Sequence, residues 1–189
     1  MRKFVNIINQ LPKWYGIGIV LLYSLLIAEF YSIVIHLTVN NDLIKNNLFI
    51  AFSRISYGVT VLSGIVIWLI SNFLFHLTAL LFNGHAQFKR FLISSSYLYI
   101  IPAIMILIGI FLLDGIHINN TVHAVEELMN NPSFKLAINL INISFIPYYA
   151  IVGIFIYYIY KIKLLYAILS VVIPIASIWG ITLIVTWLL

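Results

Sequence analysis

Five apolar stretches constrain this chain more than any other feature: residues 14–39, 56–82, 91–113, 136–160 and 164–189. Each is longer than the roughly 20 residues a helix needs to cross the hydrocarbon layer of a bilayer. Inside that layer the backbone finds no water, so a crossing segment must close its hydrogen bonds within itself. The sequence therefore predicts an all-α integral membrane protein with five transmembrane helices, forming a single transmembrane domain over residues 1–189. Only 8% of the residues are charged, against roughly 25% in a soluble domain. A surface wetted on all sides is excluded.

The connections carry the polar residues. In the first 13 residues, Phe4, Ile7, Ile8 and Leu11 fall at the spacing of one helix face. With Arg2, Lys3 and Lys13 they predict a short helix lying on an anionic surface, not a cleavable signal. A second amphipathic piece is expected around Leu43, Ile44, Leu48 and Phe49. The turn from Asn83 to Arg90 is short, and Gly84 is the residue expected to take positive φ there, with Asn83 as the alternative. The longest loop follows Asp114. In it Val122, Val125, Leu128 and Met129 predict an interfacial helix, with Asn120 or Thr121 as its N-cap and Pro132 after its end. Asn119-Asn120-Thr121 also fits the N-x-T glycosylation pattern.

Basic residues in short loops set the direction of threading. Arg2, Lys3, Lys13, Lys89, Arg90, Lys161 and Lys163 fall on one side of a five-span arrangement, and Lys45, Arg54 and Lys135 on the other. Seven against three predicts a cytoplasmic N-terminus and an outward C-terminus. The net charge of +5 is spread over short loops, with no patch or stripe for nucleic acid. Contact with lipid headgroups accounts for it. There is no cysteine, hence no disulfide and no thiolate site.

Glu29, near the middle of the first span, is the costliest residue. A central acid opposes insertion by about 3 kcal/mol, so it is expected to face the bundle. Ser32 and His36 share its helix face at i+3 and i+7, and Asn72 and Ser71, at similar depth, are its expected partners. His76 completes this polar group but lies near the opposite face from His36, so the two histidines are not expected to share a metal. Glu29 is read first as a structural clasp and second as a contact for a proton, an ion or a headgroup. Pro102, Pro147 and Pro174 break the last three spans, freeing the carbonyls of Leu98, Ile143 and Ser170, with Ser96, Ser144 and Ser177 close by. Kinked packing is the first reading of these breaks and a lined substrate path the second. His123 and Glu127, four residues apart, read as a solvated helix face. The chain has no P-loop, no G-x-G-x-x-G, no G-x-S-x-G and no carboxylate cluster. No catalytic residue, cofactor or metal is expected.

The helix end His76-Leu77-Thr78-Ala79-Leu80-Leu81-Phe82 is followed by Gly84, Phe88-Lys89-Arg90-Phe91, Tyr97-Leu98-Tyr99 and Pro102. Together with the hairpin of the last two spans, in which Lys161 and Lys163 lead to Pro174, this resembles the Yip1 family of multi-span membrane proteins in its short bacterial form. The resemblance covers about residues 55–185. It implies five spans, a cytoplasmic N-terminus and a non-enzymatic role as an accessory or scaffold in export, trafficking or envelope stress. Eukaryotic members associate with Rab-type GTPases and carry an Asp-Leu-x-Gly-Pro-type motif before the first span. The 13 residues preceding span 1 lack that motif, and GTPase binding is not carried over. Richness in residues of AT-rich codons points to a bacterial plasma membrane. Other membrane proteins, or a second copy, are the expected partners beyond the bilayer. The alternative is a small transport component with Glu29 and the proline-broken helices lining a path.

Overall fold

In the computed structural model, which describes residues 7–8, 10–39, 46–118 and 123–188, every regular element is helical. Along the chain come α1 (Lys13–Thr38), α2 (Asn47–Leu81), α3 (Phe88–Ser96), a 3-10 turn (Tyr97–Tyr99), α4 (Ile100–Leu113), α5 (Ala124–Asn130), α6 (Pro132–Tyr160) and α7 (Leu164–Leu188). Taking α3 to α4 as one interrupted span, five helices among the described residues are long and apolar enough to cross a membrane. This is the architecture of a multi-pass membrane protein.

Helix α2 starts at Asn47, well ahead of the expected residue 56, and absorbs the amphipathic piece at Leu48 and Phe49. Arg54 marks a hydropathy boundary, yet a charge does not end a helix, and no glycine or proline intervenes. The Asn46 side chain accepts the Leu48 N–H at 2.9 Å and caps the start. Leu43 and Ile44 lie outside the described residues, as do Phe4 and the Asn119-Asn120-Thr121 tripeptide. Helix α5 begins at Ala124 with His123 at its N-cap. The expected caps, Asn120 and Thr121, are also outside the described residues. Pro132 opens α6 and does not merely follow α5. Asn131 Oδ1 accepts the N–H groups of Ser133 and Phe134 at 2.9 and 3.3 Å. Proline at the first helical position gives up no hydrogen bond.

The turn after α2 corrects the glycine expectation. Asn83 takes the left-handed conformation, with φ of 61°, and Gly84 does not. Asn83 N–H donates to Leu80 O at 2.9 Å and Gly84 N–H to Ala79 O at 3.0 Å, the two bonds of a Schellman ending. Gly84 is needed for a different reason. A Cβ there would stand 2.7 Å from Ala79 O and 2.9 Å from Tyr160 Cδ1. Among the described residues Lys161, after α6, is the other one with positive φ, at 56°.

The chain divides into two compact units. One comprises the described residues up to Ile17 with Ile67–Leu98 and Pro147–Leu189, the other Gly18–Val66 with Tyr99–Ile146. The first is packed around Phe75, Phe91, Phe155, Ile156 and Ala167, all nearly inaccessible. In the second, Gly109 lets Phe30 and Ala137 approach α4; its Cβ would lie 3.4 and 3.7 Å from them. Small residues at such crossings let helices gain dispersion contacts that lipid cannot replace.

The Asn83–Gly84 ending yields a ranking of substitutions. Asn83→Gly should leave stability unchanged, and Asn83→Ala should cost about 1 kcal/mol for a left-handed alanine. Gly84→Ala should cost more, on the order of 2 kcal/mol, because a backbone carbonyl blocks the methyl group. Reversible unfolding in mixed micelles measures this, and an Asn83→Ala loss above that of Gly84→Ala would contradict the assignment.

Candidate functional site

The polar residues picked out by spacing fall into two groups, one in each unit. In the second unit, Ser24 and Ala28 form the inward seam of α1. Ser24 donates to Val20 O at 2.9 Å, and a Cβ on Gly64 of α2 would meet Ser24 Oγ at 2.7 Å. This contact sets the rotation of α1. Glu29 follows the buried Ala28 by one residue, about 100° around the helix, and is turned outward. It is exposed and makes no hydrogen bond or ion pair to another described residue. The expectation that it faces the bundle is not met.

Glu29 belongs to a continuous outer stripe with Leu22 and Leu25, each 45% exposed, and His36. Ser32 is half-buried on the same side. His36 Nδ1 donates to the Ser32 backbone carbonyl at 2.7 Å, leaving the serine hydroxyl out of the contact. Glu29, Ser32 and His36 thus share a face as their spacing predicts, but it is the outer face of α1.

In the first unit, Asn72 is fully buried. Its amide donates to Trp68 O at 2.8 Å; its Oδ1 finds no hydrogen-bond partner among the described residues. Ser71 is half-buried beside it. One turn on, His76 Nδ1 and the Tyr160 hydroxyl share a hydrogen bond of 2.6 Å. Phe88 stacks obliquely on the His76 ring at 5.1 Å and edge-on to Phe73 at 5.8 Å. Phe91 meets Tyr160 edge-on at 5.5 Å, and His85 N–H donates to Tyr160 O at 3.3 Å. Of the residues carrying the family resemblance, Gly84 lies against Tyr160 at the end of α6, and Phe88 packs on His76 and Phe73 of α2. Lys89 is exposed beside them, and Pro102 sits in the first turn of α4.

The proline breaks differ among themselves. Pro102 follows the 3-10 turn, where a helix start already leaves N–H groups without internal partners. It restarts a helix and does not kink one. Pro147 and Pro174 lie inside α6 and α7. Ser96, Ser144 and Ser177 donate to Ile93, Ile141 and Ile173 carbonyls of their own helices, at 2.6, 2.6 and 2.8 Å. At the start of α5, His123 Nδ1 lies 3.6 Å from Glu126, both well exposed.

Tyr160 is the residue that sequence reasoning missed. It ends an apolar run one position before a basic turn, and nothing local sets it apart. Only the pairing of the 83–90 and 161–163 turns would have pointed to it.

Compared with models of known protein families, with curated proteins and with solved structures, the chain matches none.

Tyr160 separates ring from hydroxyl. Tyr160→Phe removes only the bond to His76 and should cost about 0.6 kcal/mol, the average for such bonds in lipid. Tyr160→Ala also removes a side chain that is 1% exposed and should cost about 3–5 kcal/mol. Equal losses in a chemical unfolding series would mean that the hydroxyl carries the contact.

Proposed function

We propose that this is a non-enzymatic multi-pass protein of the Yip1 type that acts by side-by-side association with another membrane protein. It would serve as an accessory or scaffold of an export, trafficking or envelope-stress assembly in a bacterial plasma membrane. The observation that carries this reading is the outward Glu29 in the middle third of α1. A carboxyl group facing acyl chains is unfavourable by about 3 kcal/mol. A hydrogen-bond donor on a neighbouring helix removes most of that penalty, and apolar Leu22 and Leu25 extend the same face for packing. The family reading is supported by two motif positions that frame the His76–Tyr160 hydrogen bond: Gly84 lies against Tyr160 and Phe88 against His76. The basic-residue asymmetry supports a cytoplasmic N-terminus.

A transport component is the second reading. One observation favours it: the span from Phe88 to Leu113 is interrupted by a 3-10 turn, with Ser94, Ser95 and Ser96 buried just before it. Interrupted helices form binding sites in many transporters.

Glu29 variants distinguish the two. Because Glu29 makes no internal bond among the described residues, Glu29→Gln and Glu29→Leu should both insert and melt like the parent. Glu29→Gln should keep association and complement a deletion strain, and Glu29→Leu should lose both. The chain has no cysteine, so Leu25→Cys gives a single cross-linking handle. Its adduct with the partner should disappear when Glu29→Leu is added. A Glu29→Gln protein that still associates but fails to complement would favour a titrating, transport-linked carboxyl.

Threading is tested separately. A reporter fused after Leu189 should be active only outside, and one inserted at His85 only inside. Activity of both on one side would overturn the five-span topology.

A further inference from the structure

The acidic side chains among the described residues, Glu29, Asp114, Glu126 and Glu127, belong to the second unit. The described part of the first unit carries Lys13, Lys89, Arg90, Lys161 and Lys163 and no acid. None of these cations makes an ion pair with another described residue. Three of them are gathered by packing. Gly16 brings the start of α1 against Ser96 and Tyr97, where any Cβ would collide with Ser96 Oγ. The Tyr97 hydroxyl donates to the Pro12 carbonyl. Lys13 is thereby placed at a cleft of about 340 Å³ that also takes in Lys89 and Arg90.

The remaining walls of the cleft decide its ligand. Ile8, Leu11 and Ile93 form an apolar side, and Gln87 adds an amide. Ser94, 2% exposed, donates to Arg90 O at 2.9 Å, fixing the turn that presents Arg90. Three cations, one of them a planar guanidinium fork, suit phosphate oxygens. A small soluble anion would leave the apolar side wet, and an attached glycerol and acyl chain would cover it. Trp14 and Tyr15, 80% and 65% exposed, follow Lys13 directly, and such aromatic residues settle at headgroup depth.

We propose that this cleft binds the phosphate headgroup of an anionic phospholipid, with Lys13, Lys89 and Arg90 as its ligands. The site is independent of the Glu29 face and of the direction of threading. Lipid binding should therefore persist in Glu29→Leu.

The test is the melting temperature of the purified full chain in a neutral detergent, titrated with phosphatidylglycerol, phosphatidylcholine or glycerol 3-phosphate. Phosphatidylglycerol should raise it saturably, and the other two should do little. Lys89→Gln with Arg90→Gln should raise the half-saturating lipid concentration roughly 30-fold, from two cations near a membrane surface. Should that pair fail to fold, Lys13→Gln alone should give about a 5-fold rise. Lys161→Gln with Lys163→Gln removes the same charge elsewhere in the unit and should change it less than 3-fold. Equal effects of the two pairs would reduce the cleft to diffuse attraction and overturn the proposal. Stabilisation by glycerol 3-phosphate equal to that by the lipid would overturn the lipid assignment.

Discussion

The backbone's need for hydrogen bonds in a solvent that offers none governs this molecule. Each span answers it as a helix, and the side chains follow the same rule. Ser24, Thr60, Thr78, Ser144, Ser170 and Thr182 all donate to carbonyls three or four residues earlier in their own helices. A hydroxyl used in this way becomes nearly apolar to its surroundings, which explains how the seven buried serines and threonines among the described residues can sit beside leucine and phenylalanine. Pro102 obeys the same rule by lying where a helix begins afresh.

Once the backbone is closed, side-chain size sets the helix rotations. Gly64 against Ser24, Gly109 against Phe30 and Ala137, and Gly16 against Ser96 are points where a methyl group would touch a neighbour or collide with it. The rotation imposed at Ser24 has its largest effect at Glu29, one residue past Ala28. A helix face chosen by small residues leaves the acid outside. The most polar residue of the span is thus placed by its least conspicuous neighbours.

This explains what could be read from the sequence and what could not. The five spans were legible because length and apolarity are local properties, and the helices match their expected ranges closely at Lys13, Leu81, Leu113 and Tyr160. The start of α2 was not, because hydropathy reports where a helix leaves lipid and says nothing of where it unwinds. Pro132 was misplaced for a related reason: a proline after one helix and before another reads either way until Asn131 is seen capping the second. Shared faces, such as Glu29 with Ser32 and His36, follow from periodicity. Whether that face turns inward or outward depends on the contact of Ser24 with Gly64, forty residues further along the chain, and no local pattern contains it. Tyr160 escaped notice for the same reason.

The length of α2 has a physical consequence of its own. Thirty-five residues rise about 52 Å, whereas the hydrocarbon layer is about 30 Å thick. Arg54 is exposed near one end, and ahead of it Leu48 and Phe52 present 80% and 70% of their surface. Part of this apolar rod extends past the acyl chains unless the helix leans or the bilayer thickens around it. Each ångström of mismatch carries a fraction of a kcal/mol. The rod therefore ties the free energy of the folded chain to the thickness of the membrane that holds it, and bilayers of different depth would hold it unequally.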